Sequence, residues 1–287
     1  MQAWVIPTPF LLMKLTCGKF ELDLTQPRVM GIVNVTPDSF SDGGKFAVAE
    51  LAVAHGMELV GHGADILDIG GESTRPGAIP VPLDEELRRV IPVIEALAAK
   101  TCVPISIDTY KPEVMKAAIG AGASIVNDVF ALQQPGALEV VAASNAGVCL
   151  MHSQGTPQTM QLDPQYQDVV REVHDFLRDR MAACEAHGIG RERIVLDPGF
   201  GFGKRSMHNV ALLRDLKTLR ELGQPLLVGL SRKSVLGQLT GNDVDARLHA
   251  SLAAAVISAM KGARIVRVHD VKATVDALRI VTAVEGL

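Results

Sequence analysis

Two basic residues stand at the end of the apolar run Ile265-Val-Arg-Val-His269. Positions two apart on an extended strand face the same way, so Arg267 and His269 would present two potential cations together, an arrangement suited to an anion. Polar residues end other apolar runs in the same manner: Asn34 after Met30-Gly-Ile-Val, Asp108 after Ile105-Ser-Ile, Asn127 after Ser124-Ile-Val, and Asp197 after Ile194-Val-Leu. Thr74 and Arg75 follow the run Ile66-Leu-Asp-Ile69, and Lys233 and Ser234 follow Leu226-Leu-Val-Gly-Leu230. Arg75 offers a planar fork for phosphate or carboxylate and Lys233 a compact charge, while Asp108, Asn127 and Asp197 supply acceptors and an amide. A ligand matching this set has an anionic end and a polar, donor-bearing end.

Each residue alone has a plainer reading. A terminal Asp or Asn often only caps the next helix, which would account for Asp108, Asn127 or Asp197 singly. Asp128, Asp270 and Glu72 are assigned mainly to capping and structural pairing, Arg267 by itself could serve a surface ion pair, and His152 reads as a hydrogen-bonded structural histidine. The run Asp197-Pro-Gly-Phe-Gly-Phe-Gly-Lys204 invites a phosphate-loop reading. That motif needs glycine where Pro198 stands and Ser or Thr where Arg205 stands, so the reading fails, and the alternating glycines are expected to let a loop lie close to ligand or rim. The plain readings explain single residues but not the gathering of so many polar groups at strand ends.

The elements that would gather them are legible in the hydrophobic pattern. Short Val- and Ile-rich runs alternate with longer Ala, Leu, Glu and Arg segments at helical spacing, which is the signature of βα units. Strands are expected at Met30-Asn34, Ile66-Ile69, Ile105-Asp108, Ser124-Asn127, Val148-His152, Ile194-Asp197, Leu226-Leu230 and Ile265-His269. Gly61 and Gly63, Gly120 and Gly122, Gly188 and Gly190, and Gly262 fall where helices should end. The expected fold is α/β, a single (βα)8 TIM barrel over 29–287, preceded by an N-terminal extension and leading strand segment over 1–28. Active sites of such barrels lie at the C-terminal ends of the strands, where the polar residues cluster. The helix expected over Ala246–Met260 is apolar around much of its girth, which implies deep packing or cover by a second copy of the chain.

Composition narrows the classes. A chain of 287 residues with 48% hydrophobic content is long enough for such a barrel. Its formal charge of −4 gives no general attraction to nucleic acid or anionic membrane, so neither is expected as a partner. No apolar run reaches roughly 18 residues, and the first dozen residues lack Lys, Arg and a small-residue cleavage pattern, so neither a span nor a signal peptide is expected. Cys17, Cys102, Cys149 and Cys184 show no Cys-x-x-Cys spacing and suggest neither a zinc site nor a disulfide framework. A reducing cytoplasm is the expected location.

The segments Gly31-Ile-Val-Asn-Val-Thr-Pro-Asp-Ser-Phe-Ser-Asp-Gly-Gly44 and Asp68-Ile-Gly-Gly-Glu-Ser-Thr-Arg-Pro-Gly77 resemble the two signature segments of dihydropteroate synthases. Ser106-Ile-Asp-Thr109, Val126-Asn-Asp128, Leu196–Lys204, Ser231-Arg-Lys-Ser234 and Arg267-Val-His-Asp270 resemble the family's remaining motifs in the same order. The resemblance spans about Met13 to the C-terminus and implies a folate-pathway transferase, usually a homodimer. Such an enzyme condenses 6-hydroxymethyl-7,8-dihydropterin diphosphate with 4-aminobenzoate. It implies that Asp108, Asn127, Asp197 and Lys233 bind the pterin, that Arg75, Arg267 and His269 bind the diphosphate, and that Thr74 lies beside the substrate. Asn34 would help hold the Mg2+ carried by the diphosphate, with Asp38 a weaker candidate. Asp38, Ser39 and Phe40 would close over the site, and Ser234, Phe40 and Pro76 would line the aminobenzoate pocket. Departures from the family pattern at Tyr110, Phe130, Gln133 and Ser153 touch loop detail only. With no insertion in the Ser-Thr-Arg-Pro-Gly loop, sulfonamides are expected to inhibit.

Three other readings compete. A pterin-binding methyltransferase would share the barrel but has no need of Thr36–Phe40 or Ser231–Ser234. A Schiff-base aldolase would use Lys233, with Arg232 lowering its pKa. A non-catalytic pterin-binding protein would bind ligand without turnover.

Overall fold

The apolar runs fold as parallel strands of one closed barrel. The computed structural model describes residues 13–36, 45–75, 77–156 and 158–286. An antiparallel pair, β1 (Lys14–Cys17) and β2 (Phe20–Asp23), comes first. The barrel strands are β3 (Arg28–Asn34), β4 (Ile66–Gly70), β5 (Ile105–Asp108), β6 (Ile125–Asp128), β7 (Gly147–Met151), β8 (Ile194–Asp197), β9 (Leu226–Val228) and β10 (Ala263–Val268). They pair in chain order, and β10 closes onto β3 through Ile265–Arg28 and Val268–Gly31.

The connecting helices are α1 (Lys45–Gly61), α2 (Leu83–Lys100), α3 (Pro112–Ala121), α4 (Ala137–Ala142), α5 (Val169–Ala186), α6 (Ser206–Arg214), α7 (Leu216–Leu219), α8 (Ser234–Thr240), α9 (Leu248–Met260) and α10 (Val271–Glu285). Local chemistry sets their ends. Asp84, Glu85 and Glu86 fill the first turn of α2, where the helix dipole favours negative charge. The Asp168 carboxylate caps α5 by accepting the N–H groups of Val170 and Arg171, both at 3.1 Å. α3 starts on Pro112, whose fixed φ suits the first turn, and stops at Gly122 with φ 115°.

Strand ends differ from expectation by a residue or two. β7, β9 and β10 stop at Met151, Val228 and Val268, before His152, Leu230 and His269. Asn127 and Asp128 both lie within β6, and α9 begins at Leu248, with Ala246 in a preceding 3-10 turn.

Alternation along the strands sorts side chains into two cores. Val33, Ile69, Ile107, Val126, Leu150, Leu196, Val228 and Val266 point outward and pack with the helices. Met30, Ile66, Ile125, Cys149, Val195, Leu227 and Ile265 point inward and form a separate cluster with Leu15, Cys17 and Leu24. The antiparallel pair therefore plugs the N-terminal mouth of the barrel. Two residues further along the strands, the inward positions become polar: Asp68 above Ile66, Asn127 above Ile125, Asp197 above Val195 and Arg267 above Ile265. Leu15→Ala is expected to lower unfolding free energy by about 2–5 kcal/mol in urea titration, as a cavity in a packed core does. A loss below about 1 kcal/mol would show that the plug is not part of the barrel's packing.

Candidate active site

Asp68, Asp108, Asn127, Asp197, Lys233 and Arg267 come together inside the C-terminal end of the barrel. Arg267 lies between two carboxylates: its Nε donates to Asp68 Oδ2 at 2.5 Å and its Nη2 to Asp108 Oδ2 at 2.6 Å. Asn127 Nδ2 donates to the same Asp68 oxygen at 3.2 Å. Asp68 Oδ1 and Asp108 Oδ1 are buried and have no hydrogen-bond partner among the described residues. A buried acceptor without a partner costs about 1–3 kcal/mol, so these oxygens favour a ligand that brings N–H groups. Asp197 keeps one oxygen on the Gly199 N–H at 2.7 Å. None of Asp108, Asn127 and Asp197 caps a helix, since the residues before α3, α4 and α6 are Lys111, Gly136 and Arg205. Arg267 is likewise no surface partner.

Lys233 reaches across from the residue before α8. Its Nζ donates to the Phe200 carbonyl and sits 4.6 Å from the centre of the Phe202 ring. Its backbone is held by its neighbours: Arg232 has φ 59°, its N–H donates to Ser251 Oγ at 3.0 Å, and its guanidinium grips the Asp270 carboxylate. The glycine-rich loop opposite needs its glycines for a physical reason. At Gly199, with φ 70°, a Cβ would collide with the His152 carbonyl oxygen. The buried Lys204 ammonium fastens this loop by donating to the carbonyls of Gly199 and Phe202, each at 3.0 Å, beside His152 Nδ1 at 2.8 Å. The segment that fails as a phosphate loop is thus a strapped wall beside Lys233, and His152 has the structural role expected of it.

Burial moves the charges of this site. Desolvation raises the Asp108 pKa to about 7, against the pull of Arg267 and with the push of Asp68. It raises Asp197 as well, opposed by Lys233, and lowers Lys233 to about 8 although Asp197 favours its charged form. Burial alone would lower Arg267, but Asp68 and Asp108 carry it above the usual arginine value. His269 is lowered to about 4 by burial, Arg267 and Arg232, so it is neutral at pH 7. The pair of cations expected from spacing is therefore one cation already matched by carboxylates and one neutral imidazole. The His269 Nδ1 meets Ser231 Oγ at 3.1 Å, which leaves Nε2 for a ligand.

The remaining expected residues lie around this floor. A Cβ built on Gly70 would stand 3.8 Å from both Asn34 Oδ1 and Asp108 Oδ2, so Asn34 borders the floor. Thr74 is half-buried and Arg75 exposed on the loop after β4, close enough for Arg75 to act on His269 electrostatically. Ser234 is exposed at the start of α8. Asp38, Ser39, Phe40 and Pro76 lie outside the described residues. Sequence reasoning passed over Asp68 as a site residue, although a charge inside the apolar run Ile66-Leu-Asp-Ile69 was the available signal.

The pterin binding enzyme family model matches residues 30–269. The dihydropteroate synthase of Escherichia coli K12 is 54% identical over 271 residues, covering 94% of this chain and 96% of that protein. The chain belongs to the dihydropteroate synthase family. Solved family members superpose closely. The Xanthomonas albilineans enzyme with 4-aminobenzoic acid has TM-score 0.92 at 56% identity, covering 96% of this chain and 100% of its own. Its complex with 7,8-dihydropteroate has TM-score 0.88 at 54% identity, covering 96% and 99%. The Yersinia pestis enzyme in a sulfonamide drug complex has TM-score 0.91 at 49% identity, covering 96% and 100%.

Arg267→Met strands two carboxylates and is expected to destabilise the fold by about 3–5 kcal/mol. Burial raises the Asp108 pKa to about 7, well above the usual carboxylate range, so its ionisation opposes folding increasingly as pH rises from that range to neutrality. Without Arg267 that opposition grows. The gap in melting temperature between parent and Arg267→Met should then be wider at pH 8 than at pH 5, and an equal or narrower gap at pH 8 would refute the ion-cluster account.

Proposed function

We propose that this chain is a transferase that condenses 6-hydroxymethyl-7,8-dihydropterin diphosphate with 4-aminobenzoate, giving 7,8-dihydropteroate and diphosphate in folate biosynthesis. The observation that carries the reading is the pair of buried carboxylate oxygens, one each on Asp68 and Asp108, without partners among the described residues at the barrel floor, beside Asn127 and Lys233, in a chain of this family. A pterin edge offers an amide N–H and an amino group side by side. One buried carboxylate such as Asp197 would accept them together, with Asp108 a further acceptor for the ring, each charge-assisted bond contributing about 1.5–3 kcal/mol. Lys233 and Asn127 complete the polar rim of the ring.

The bond that breaks joins the pterin methylene carbon to the diphosphate oxygen, which takes the electron pair. The dihydropterin ring delocalises the resulting cation, the amine of 4-aminobenzoate attacks that carbon, and the nitrogen then releases a proton. The substitution is SN1-like. Arg75, the Nε2 of His269 and the outer edge of Arg267 would hold the leaving diphosphate. Thr74 would lie beside it, and by the family resemblance Ser234, Phe40 and Pro76 would line the aminobenzoate pocket. The loop of Asp38, Ser39 and Phe40 would exclude water that otherwise captures the cation.

Mg2+ fits this donor set as an ion carried by the substrate. Among the described residues no group of three or more His, Cys, Asp or Glu is arranged to hold a metal, while Asn34 offers a single neutral oxygen at the rim. That sparse set suits a cation that keeps water and phosphate oxygens as its main ligands. When bound, the ion would stabilise negative charge on the departing diphosphate.

A cytoplasmic homodimer is the proposed working form. No described helix is long and apolar enough to cross a membrane. Leu248, Ile257 and Met260 of α9 and Ile280 and Val284 of α10 are exposed, which supports cover by a second copy.

Mixing the pterin diphosphate, Mg2+ and 4-aminobenzoate should release diphosphate together with dihydropteroate. Tight pterin binding without release would move the reading to a methyltransferase or a non-catalytic binder. Asp197→Ala should lower kcat/KM by about a hundredfold or more, as the loss of charge-assisted bonds requires. Sulfonamides should inhibit competitively with 4-aminobenzoate, as inhibition constants that rise with added 4-aminobenzoate would register. His269 should take up a proton when diphosphate binds, since it is neutral beforehand. Calorimetry at pH 7 in buffers of different ionisation enthalpy should therefore show less proton uptake for His269→Asn than for the parent.

A further inference from the structure

The loop that carries Thr74 and Arg75 leaves the barrel at Glu72 and returns at Val81, and its neck is stitched shut by side chains outside the floor already described. Glu72 Oε2 accepts the Val81 N–H at 3.0 Å and the Lys111 ammonium at 2.6 Å. The same ammonium donates to the Val81 carbonyl at 2.7 Å and to Glu86 Oε2 at 2.5 Å, so all three of its N–H bonds are used. Glu86 is buried in the first turn of α2 and takes a further bond from Thr109 Oγ at 2.7 Å. Tyr110 donates from its hydroxyl to Glu72 Oε1 at 2.9 Å, and its ring meets Phe130 edge-on at 5.2 Å. Lys111, the residue before α3, thereby ties both feet of the loop to α2 and to the segment between β5 and α3.

Beyond the neck, the bonds among the described residues are few, the Arg75 N–H to Ser73 Oγ at 3.4 Å being one. Ala78 N–H donates to the Arg75 carbonyl at 3.0 Å, and Gln158 Nε2 reaches the Ala78 carbonyl at 3.0 Å. Arg75 and Ile79 are exposed. A closed neck under the tip limits where the tip can lie, because both ends of the loop are pinned at the barrel.

We infer that Lys111 is a positioning residue of the reaction, which through Glu72 and Val81 holds the Arg75 loop where its guanidinium meets the diphosphate. This rests on the reading of Arg75 as a diphosphate ligand. Removing the ammonium leaves Glu72 and Glu86 facing each other without a cation, so the neck opens and Arg75 spends less time over the anion. The pterin floor does not share these bonds.

The test is a double-mutant cycle on Lys111→Met and Arg75→Ala in the full chain, reading KM for the pterin diphosphate and, by calorimetry, Kd for 6-hydroxymethylpterin lacking diphosphate. Each single substitution should raise KM about tenfold, while the double substitution adds less than about twofold to either. The Kd of the diphosphate-free pterin should stay within about twofold of the parent's throughout, and Lys111→Arg should recover part of the loss. Additive effects would show that Lys111 does not act through Arg75 and would overturn the inference. So would a loss of pterin affinity in step with KM, which marks a general disturbance of the barrel. If Arg75→Ala alone leaves KM unchanged, the assignment of Arg75 to the diphosphate is what fails, and the inference falls with it. Should Lys111→Met not fold, Glu72→Gln, which keeps the side-chain volume and one acceptor oxygen, is read against Arg75→Ala in the same way.

Discussion

A guanidinium enclosed in a barrel must be matched by negative charge, and the match between Arg267 and the carboxylates of Asp68 and Asp108 is the constraint on which the active end depends. Moving a charge from water into protein carries a penalty of several kcal/mol, and only well-placed partners offset it. The partners here are distant in sequence, with 199 and 159 residues separating Arg267 from Asp68 and Asp108. They meet because β10 closes onto β3 while β4 and β5 follow on its other side. An open sheet would leave them apart, so the ion cluster and barrel closure need each other.

Beneath the cluster, Leu15, Cys17 and Leu24 pack against the lower inward residues as a buried apolar layer under the floor. The dry floor is what moves the ionisations: Asp108 upward to about 7 and Lys233 downward to about 8 come first from desolvation and only then from neighbours. The antiparallel pair closes the opposite end of the barrel with apolar side chains, so the low-dielectric interior continues beneath the floor.

Much of this was legible in the sequence because a parallel barrel writes each strand as a short apolar run with a polar residue where the site begins. Asn34, Asp108, Asn127, Asp197 and Arg267 were found by that punctuation, and the structure brings them to one end of the barrel. Asp68 was missed because it sits inside its run, where the pattern reads as uninterrupted strand. Lys204 failed the motif test applied to it, and its actual task, binding backbone carbonyls of its own loop, leaves no spacing signature. The neutral state of His269 was hidden for a different reason: spacing shows which way a side chain faces but not how deeply it is buried or how many cations surround it. The plug escaped notice because its residues make sense only against seven strands drawn from the whole chain.

The charges on the floor explain why the anionic end of a substrate would need the loops. Asp68, Asp108 and Asp197 face Arg267 and Lys233, three carboxylates against two cations, one carboxylate having a pKa near neutrality. Such a set is close to balanced and gives little net pull on a diphosphate. It does give directional donors and acceptors, which is what a pterin ring of little net charge requires. Attraction for the anion must then come from outside the balanced set. In the proposed reading it comes from Arg75, from a His269 imidazole that takes up a proton as the diphosphate binds, and from the cation that the diphosphate carries to Asn34. Recognition of the ring thereby rests chiefly on the strand ends, and capture of the leaving group leans on the loop of Arg75 beside His269 and the outer edge of Arg267. A loop charged with that task must be pinned at its base, because an arginine free to wander in water would be paired with solvent ions rather than with the ligand.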